Sequence, residues 1–491
     1  MASTVRAPVT RQDEIDAQLD FRKFIEVLGK DGDLAVIDEE IDPHLEVGAI
    51  VRRVSEVDGK APLFNNIKGS KEGLWRMFGN AASLRATEGE KYGRIARNLG
   101  LPTNSTWKTI LERTQAGKHL ATLPPNLVPN GPCKQNKIFG DDIDLDALPA
   151  PLLHSGDGGK YLQTYGVHVL QTPDGSWTNW SIFRGMIHDK RRIVCLVGTG
   201  QHNSIIRDKW LKQGRHEMPW ALAMGVPPAA SLAAALPVPE GVSEAEYAGA
   251  MVGKPLSLVK CELNKALEGP FEDFLGLHFE GDRHMQPLFT VNAITHRDGA
   301  ILPVSVPGRI TDESQVTASL ASAELLALCK EHGFPILDAS APLETMGTWC
   351  ALKVDTEKLG QLGSSPADFC RTFGQTVYSN KSTMLVNRIL LFGPDVDIYN
   401  FKDIMWALST RCRPGQDEYI FEDVPSFPLT PYMSHGWGNV HRGGKAISDC
   451  LLRMEYDGQK GFSSVDFETS YPPEVQERVK SRWTQMGFDR V

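Results

Sequence analysis

The sequence predicts a multidomain chain of mixed α and β structure, and three observations predict it. The chain has 491 residues, whereas single hydrophobic cores stop growing near ~250–300 residues, so two or three domains are expected. Strand-like and helix-like segments alternate to about residue 115 and again over 335–410. From Thr164, β-branched and aromatic runs broken by turn residues replace that alternation, which indicates a β-rich middle.

Taken in order, a helix is expected from Asp20. Phe21, Phe24, Ile25 and Leu28 recur at helical spacing, Asp20 is a suitable cap, and Gly29 ends the run. A short strand follows over 34–37. Asp42-Pro43 then opens a second helix, with proline where its missing N–H costs nothing, and Leu45, Ala49, Ile50 and Val54 form its buried stripe. Residues 123–153 are rich in proline and read as an ordered linker, because such a segment neither pairs as a central strand nor continues a helix. The Pro173-Asp174-Gly175 and His188-Asp189-Lys190 turns then mark hairpins. A helix over 319–332 turns Leu320, Ala323, Leu325, Leu326 and Ala327 inward and is capped by Gly333. The last helix is opened by Pro472-Pro473 and stopped by Gly487. Its narrow stripe of Val475, Val479, Trp483 and Met486 has to dock on something, such as a neighbouring subunit.

Composition narrows the class. Hydrophobic residues at 41% and charged residues at 23% are globular values. A net charge of -9 with both signs interspersed argues against a nucleic-acid binder. Eight dispersed cysteines without a CxxC pair suggest neither a zinc knuckle nor a redox dithiol, and read as reduced thiols of a cytoplasmic protein. The N-terminus lacks the apolar core of a signal peptide. The most apolar stretch, 221–239, holds Pro227, Pro228, Pro237 and Pro239 and is therefore not a membrane span. A soluble chain is expected.

Common catalytic motifs are absent: there is no GxxxxGK[ST], HExxH, GxSxG or GxGxxG. The glycine-rich loop 436–445, GWGNVHRGGK, has the makings of an anion cradle, although surface loops often look like this. Asn179, Arg184 and His202 stand out in the β-rich part. Arg184 sits among the strand-forming residues of Trp180-Ser181-Ile182-Phe183-Arg184 and is either a salt-bridged edge residue or a fork for a substrate carboxylate. His202 is either a satisfied structural histidine or a ligand. Glu268 and Asp273 form either a solvated acidic cluster or a proton-transfer pair. On residue grounds these alternatives stay open.

Several segments take the reading further: DPHLEVGAIVRRV, KAPLFNN, DGGKYLQTYGVHV, TNWSIFRGMIHDK, PWALAMGVPPAA, STRCRPGQDE and HRGGK. In content and order the chain resembles the UbiD family of prenylated-flavin decarboxylases, in particular its fungal ferulic and cinnamic acid branch. The resemblance implies an α/β (α+β multidomain) fold in four parts. These are an N-terminal α/β domain (1–122), a split β-barrel that binds prenylated FMN (123–318), an α/β oligomerisation domain (319–460) and a C-terminal helix (461–491) docking on a partner subunit. A homodimer or higher homo-oligomer follows.

Carried over by position, the resemblance assigns Asn179, His202 and Glu244 to a divalent metal, usually Mn²⁺, that bridges to the cofactor phosphate; their mixed oxygen and nitrogen donors suit that ion. A nearby K⁺ is implied around Trp180, Ala233, Ala234 and Leu236, with Arg411 in its vicinity. Ser181, Ile182, Gln201, Pro237 and Lys381 match other cofactor-contacting positions. The implied reaction is non-oxidative decarboxylation of an α,β-unsaturated or aromatic carboxylic acid through a prenylated-FMN adduct, giving alkene or arene and CO₂, with a flavin prenyltransferase supplying the cofactor. Arg184 binds the substrate carboxylate, Glu268 holds Arg184, and Asp273 delivers the proton.

This sequence departs from the pattern in three places. Asp273 stands where a glutamate is expected, with Glu272 beside it as the alternative donor. A strand-rich segment expected before Glu268 is missing, since VKCELN runs directly into KALEGPFED. At the substrate pocket, Gly198 and Thr317 replace larger aliphatic residues while Phe427 and Leu429 are kept. A roomier, slightly more polar pocket for a bulky or bicyclic acid is the expectation. Two competing readings are a degenerate flavin-binding or scaffold relative without turnover and, more weakly, a flavin oxidoreductase.

Overall fold

The computed structural model describes residues 9–70, 74–118, 120–198, 200–261, 266–267, 287–309, 312–459, 462 and 465–488. Its α/β frame contains three larger sheets and a three-stranded one. The first sheet orders Leu34–Ile41, Ala61–Ile67, Arg76–Gly79 and Ile301–Val304. The last of these strands arrives from far along the chain and pairs in parallel with Arg76–Gly79. The helix Phe21–Asp31 buries Phe21, Phe24, Ile25 and Leu28, as their spacing predicts. It packs in one cluster with Leu63 and Phe78 of that sheet. Asp20 caps it by accepting from the N–H groups of Arg22 and Lys23.

Three local expectations need correcting here. Gly29 does not end the first helix. The left-handed residue is Gly32, at φ 80°, whose N–H reaches back to the Gly29 and Leu28 carbonyls. A further helix, Arg11–Leu19, precedes it and was not expected. Pro43 does not open the second helix, which runs from Glu46 to Glu56. The Asp42 carboxylate instead accepts the His44 N–H in a tight turn, and the Leu45 N–H is taken by the Leu152 carbonyl. The buried face of that helix is Val47, Gly48, Val51 and Ser55, while Ala49 is exposed. Gly48 decides this rotation, since a Cβ there would lie 2.3 Å from the Leu153 carbonyl oxygen.

The proline-rich linker is ordered but contributes two short strands. Asn126–Leu127 pairs with Ser257–Leu258 and Asn136–Phe139 pairs with Ala293–His296. Two antiparallel sheets follow. One orders Ala266–Leu267, Leu288–Thr290, Arg192–Cys195, Gly185–Asp189 and Tyr161–Gln163; the other orders Trp220–Ala223, Val167–Gln171 and Thr178–Ser181. The first turn signal lies between Val167–Gln171 and Thr178–Ser181, and the second ends the strand Gly185–Asp189, with Lys190 and Arg191 making the turn to Arg192–Cys195. Their interior forms one cluster that includes Leu170, Phe183, Ile193, Trp220 and Phe289.

The third large sheet orders Ile336–Ser340, Trp349–Val354, Arg388–Phe392, Lys445–Asp449 and Glu418–Phe421, with the three central strands parallel. Cys350, Leu352, Ile389 and Leu391 face one apolar cluster, and Ala351, Leu390 and Phe392 face the other. Alternate residues are thus buried on both faces, the usual condition of parallel strands. The expected helix over 319–332 is observed as Ala321–Glu331 after a separate helix, Glu313–Ser319. Gly333 at φ 71° ends it, and Ala327 is only half-buried. The C-terminal helix spans Pro473–Arg482. Val475, Val479 and Trp483 are half-buried and Met486 is exposed, so among the described residues its stripe is only partly covered. Among the described residues no helix is long and apolar enough to cross a membrane.

Candidate functional site

Three distant residues meet behind the three-stranded sheet. Asn179 lies on the strand Thr178–Ser181, while His202 and Glu244 are the first residues of the helices His202–Lys212 and Glu244–Val252. All three are buried, at 1%, 7% and 1% exposure. Asn179 Nδ2 is 2.7 Å from Glu244 Oε1 and 3.3 Å from His202 Nδ1, and the His202 and Glu244 side chains are 3.9 Å apart. The second carboxylate oxygen of Glu244 accepts the Trp180 N–H at 2.8 Å. His202 Nε2 is buried without a hydrogen-bond partner among the described residues, and the edge of Trp177 closes on the ring at 4.8 Å.

Both helix starts lack a side-chain capping bond, at Gln201 and at Ser243. Unsatisfied N–H groups and the helix dipole make such ends attractive to anions, although Asn203 Oδ1 already accepts the Ser204 N–H at 2.8 Å. Lys381, in the 3-10 turn Lys381–Thr383, lies within electrostatic reach of Glu244 and Glu240. Burial brings its pKa down to about 8 against the opposing pull of those carboxylates. The site therefore combines an oxygen and nitrogen donor set with a cation and two helix N-termini, which fits a divalent ion bridging to a phosphate. Among the described residues no group of three or more His, Cys, Asp or Glu gathers elsewhere or here, because the third member of this set is an amide.

Arg184 is not inside a strand, as the run Trp180–Arg184 had suggested. The strand stops at Ser181, and Arg184 sits half-buried in the three-residue crossing to Gly185–Asp189, its carbonyl accepting the Leu196 N–H at 3.4 Å. Ser181 donates to Asn179 Oδ1 at 3.2 Å, and Ile182 packs on the neighbouring core. Trp180, Ala233, Ala234 and Leu236 share that core, the last three on or just after the helix Pro228–Ala235, with Pro237 next in chain. The Gln201 N–H is received by the Gly198 carbonyl at 3.2 Å.

Other expected residues have local partners of their own. Arg411 pairs with Asp395 at 2.5 Å and stacks on Trp406 and Phe462, on the third sheet's helix Phe401–Arg411. Phe427 and Leu429 lie half-buried in the loop after Glu418–Phe421. The Thr317 hydroxyl donates to its own helix at the Glu313 carbonyl, 2.8 Å away. Glu268, Glu272 and Asp273 lie outside the described residues. Asn203, which sequence reasoning missed, is buried beside His202 with its Nδ2 unpartnered among the described residues; its only signal is its place in the first turn of that helix.

Comparison with known proteins gives three family matches covering most of the chain. These are the 3-octaprenyl-4-hydroxybenzoate carboxy-lyase N-terminal domain over 25–114, its Rift-related domain over 126–267 and 262–310, and its C-terminal domain over 314–450. Ferulic acid decarboxylase 1 of Saccharomyces cerevisiae is 42% identical, over 97% of this chain and 99% of that protein. Pyrrole-2-carboxylic acid decarboxylase of Pseudomonas aeruginosa is 37% identical, over 96% and 98%. Among solved structures, the closed form of Sedimentibacter hydroxybenzoicus vanillic acid decarboxylase superposes with a TM-score of 0.78 at 23% identity, covering 98% of this chain and 99% of that one. An evolved dimeric form of the UbiD-class enzyme HmfF from Pelotomaculum thermopropionicum, in complex with prFMN, gives 0.73 at 22%, covering 93% and 98%. These likenesses establish the α/β multidomain fold.

Proposed function

We infer the function from one premise: the chain belongs to the UbiD family of carboxy-lyases. It is an enzyme of non-oxidative decarboxylation, and prenylated FMN supplies, when bound, the electron sink that lets CO₂ leave. The substrate we propose is an α,β-unsaturated acid of the cinnamic or ferulic type, or an aromatic acid, released as the alkene or arene. The observation that carries this reading is the convergence of Asn179, His202 and Glu244 at two uncapped helix starts, with Arg184 five residues along the same chain segment.

Asn179, His202 and Glu244 would hold Mn²⁺ against the cofactor phosphate, with Lys381 adding positive charge. Trp180, Ala233, Ala234 and Leu236 would supply the neighbourhood of a K⁺ ion, with Arg411 in its vicinity. The five- and three-stranded sheets would together make the split barrel that holds the flavin, with Ser181, Ile182, Gln201 and Pro237 among the residues holding it. Arg184 receives the substrate carboxylate in its planar fork, which fixes the scissile bond. Glu268 orients Arg184, and Asp273, or Glu272 beside it, returns a proton to the carbon that lost CO₂. Gly198, Thr317, Phe427 and Leu429 line the substrate end. The half-covered helix Pro473–Arg482 docks on a second copy of the chain.

The test is co-expression with a flavin prenyltransferase, reconstitution with Mn²⁺ and K⁺, and turnover of a panel of cinnamic and aryl acids. Decarboxylation that disappears in Arg184→Ala supports the reading. Full flavin loading with no turnover of any acid would replace it by a flavin-holding relative without catalysis.

A further inference from the structure

One fully buried histidine has no part in the chemistry above. His168 lies on the strand Val167–Gln171 at 0% exposure, surrounded by Phe183, Trp220 and Phe289. Its ring lies flat on Phe183, with centroids 3.6 Å apart and planes 6° from parallel. An aliphatic or aromatic residue would fill such a space, whereas histidine brings two nitrogens that must each find a partner. Both do. Trp220 Nε1–H donates to Nδ1 at 2.8 Å, and Nε2 lies 2.8 Å from the Phe183 carbonyl oxygen. An indole nitrogen can only donate, so Nδ1 must accept. The ring proton therefore sits on Nε2 and is donated to the Phe183 carbonyl. Burial pushes the ring pKa down to about 3, so this neutral tautomer persists through the physiological range.

We propose that His168 is a positioning residue for Arg184, acting through the Phe183 carbonyl, with Trp220 holding its tautomer. The proposal rests on the reading of Arg184 as the carboxylate receptor. Residues 182–184 carry the chain out of one sheet and into another, since Thr178–Ser181 belongs to the three-stranded sheet and Gly185–Asp189 to the five-stranded one. At such a crossing the backbone has no ladder to fix its peptide planes. His168, on the neighbouring strand of the three-stranded sheet, supplies the missing donor on the N-terminal side of Arg184. The Leu196 N–H, donating to the Arg184 carbonyl, supplies the fix on the other side. Rotation of the Phe183–Arg184 peptide would swing the arginine Cβ, and a guanidinium that must meet a carboxylate in plane tolerates little of that. An imidazole fixed by a second donor, and fixing a functional group in turn, is how outer-shell residues commonly act.

The test uses the reconstituted holoenzyme and two ligands that cannot turn over, a saturated arylpropionate and its primary amide. Dissociation constants are measured for both, alongside turnover and flavin content. Arg184→Ala comes first. Loss of carboxylate binding with amide binding kept supports the reading of Arg184; no change overturns that reading and the proposal with it. Given that result, His168→Phe is expected to weaken arylpropionate binding about ten- to a hundredfold while amide binding and flavin content hold. His168→Gln, whose amide N–H can reach the same carbonyl, recovers most of the loss. In the Arg184→Ala background His168→Phe adds nothing further, because it acts through the arginine. Equal losses for acid and amide, or losses that multiply with those of Arg184→Ala, would overturn the proposal while leaving the Arg184 reading intact. Trp220→Phe covers the case in which His168→Phe does not fold. Ring ¹⁵N shifts are expected to show the Nε2–H form in the wild type and, in Trp220→Phe, an Nδ1 resonance moved by the loss of its donor. Unchanged shifts in that variant would count against it.

Discussion

Replacing Glu244 with glutamine probes the three-residue cluster from two sides. Each Glu244 oxygen has its own donor, Asn179 Nδ2 at 2.7 Å and the Trp180 N–H at 2.8 Å. Glutamine offers one carbonyl oxygen, so its amide N–H₂ must face one of those donors. A buried donor left without an acceptor costs about 1–3 kcal/mol. The same change removes the charge proposed to bind Mn²⁺. An ion present at a hundredfold excess over its Kd stabilises the folded chain by about 2.7 kcal/mol, and the variant loses that increment. The gap between the two proteins is therefore about 1–3 kcal/mol without metal and about 4–6 kcal/mol with it. Thermal unfolding of both, with and without Mn²⁺ and inorganic phosphate, reads the two gaps separately. Equal Mn²⁺-induced shifts in wild type and Glu244→Gln would refute the ligand role. Identical unfolding without metal would refute the hydrogen-bond argument.

Other expectations concern the frame around the site. Asp449 is buried, and burial lifts its pKa from 3.8 to about 6. Its folded pKa lies above the unfolded one, so its contribution to stability declines as pH rises from about 4 to about 6. Asp449→Asn should unfold like wild type near pH 4 and be up to about 3 kcal/mol more stable near neutrality, two pKa units at 1.36 kcal/mol each, by urea midpoints at the two pH values. Arg94 is fully buried and bidentate to Asp33, at 2.7 and 2.8 Å; Arg94→Met should cost about 3–5 kcal/mol in the same assay, because it leaves that buried carboxylate only the longer contact to Arg85, at 3.4 Å. A Cβ on Gly374 would lie 2.0 Å from Phe421 Cζ, so Gly374→Ala should cost about 1–3 kcal/mol through overpacking of the third sheet.

How far the sequence could be read depended on the range of the forces involved. Phe21, Phe24, Ile25 and Leu28 announce their helix because their spacing is local, and the Pro173-Asp174-Gly175 turn announces its hairpin for the same reason. Gly29 and Pro43 misled because a glycine and a proline mark boundaries only when the surrounding chain agrees. Gly32 takes the left-handed position, and Leu152 takes the N–H of Leu45. Asn179, His202 and Glu244 lie far apart in sequence on three elements, so spacing alone could not join them; the resemblance to a family could. Arg184 was misplaced in a strand since the change of sheet at residues 182–184 leaves no compositional trace. His168 was invisible, because an isolated histidine on an apolar strand reads as core until its two partners are seen.

The most direct measurement is carbon dioxide release from a carboxyl-¹³C-labelled cinnamic or aryl acid by the reconstituted enzyme under anaerobic conditions. One ¹³CO₂ per alkene or arene formed, with no oxidant consumed and no release by Arg184→Ala, is the expected result. Release that requires oxygen, or that continues at full rate without Arg184, would contradict a non-oxidative decarboxylase working through this site.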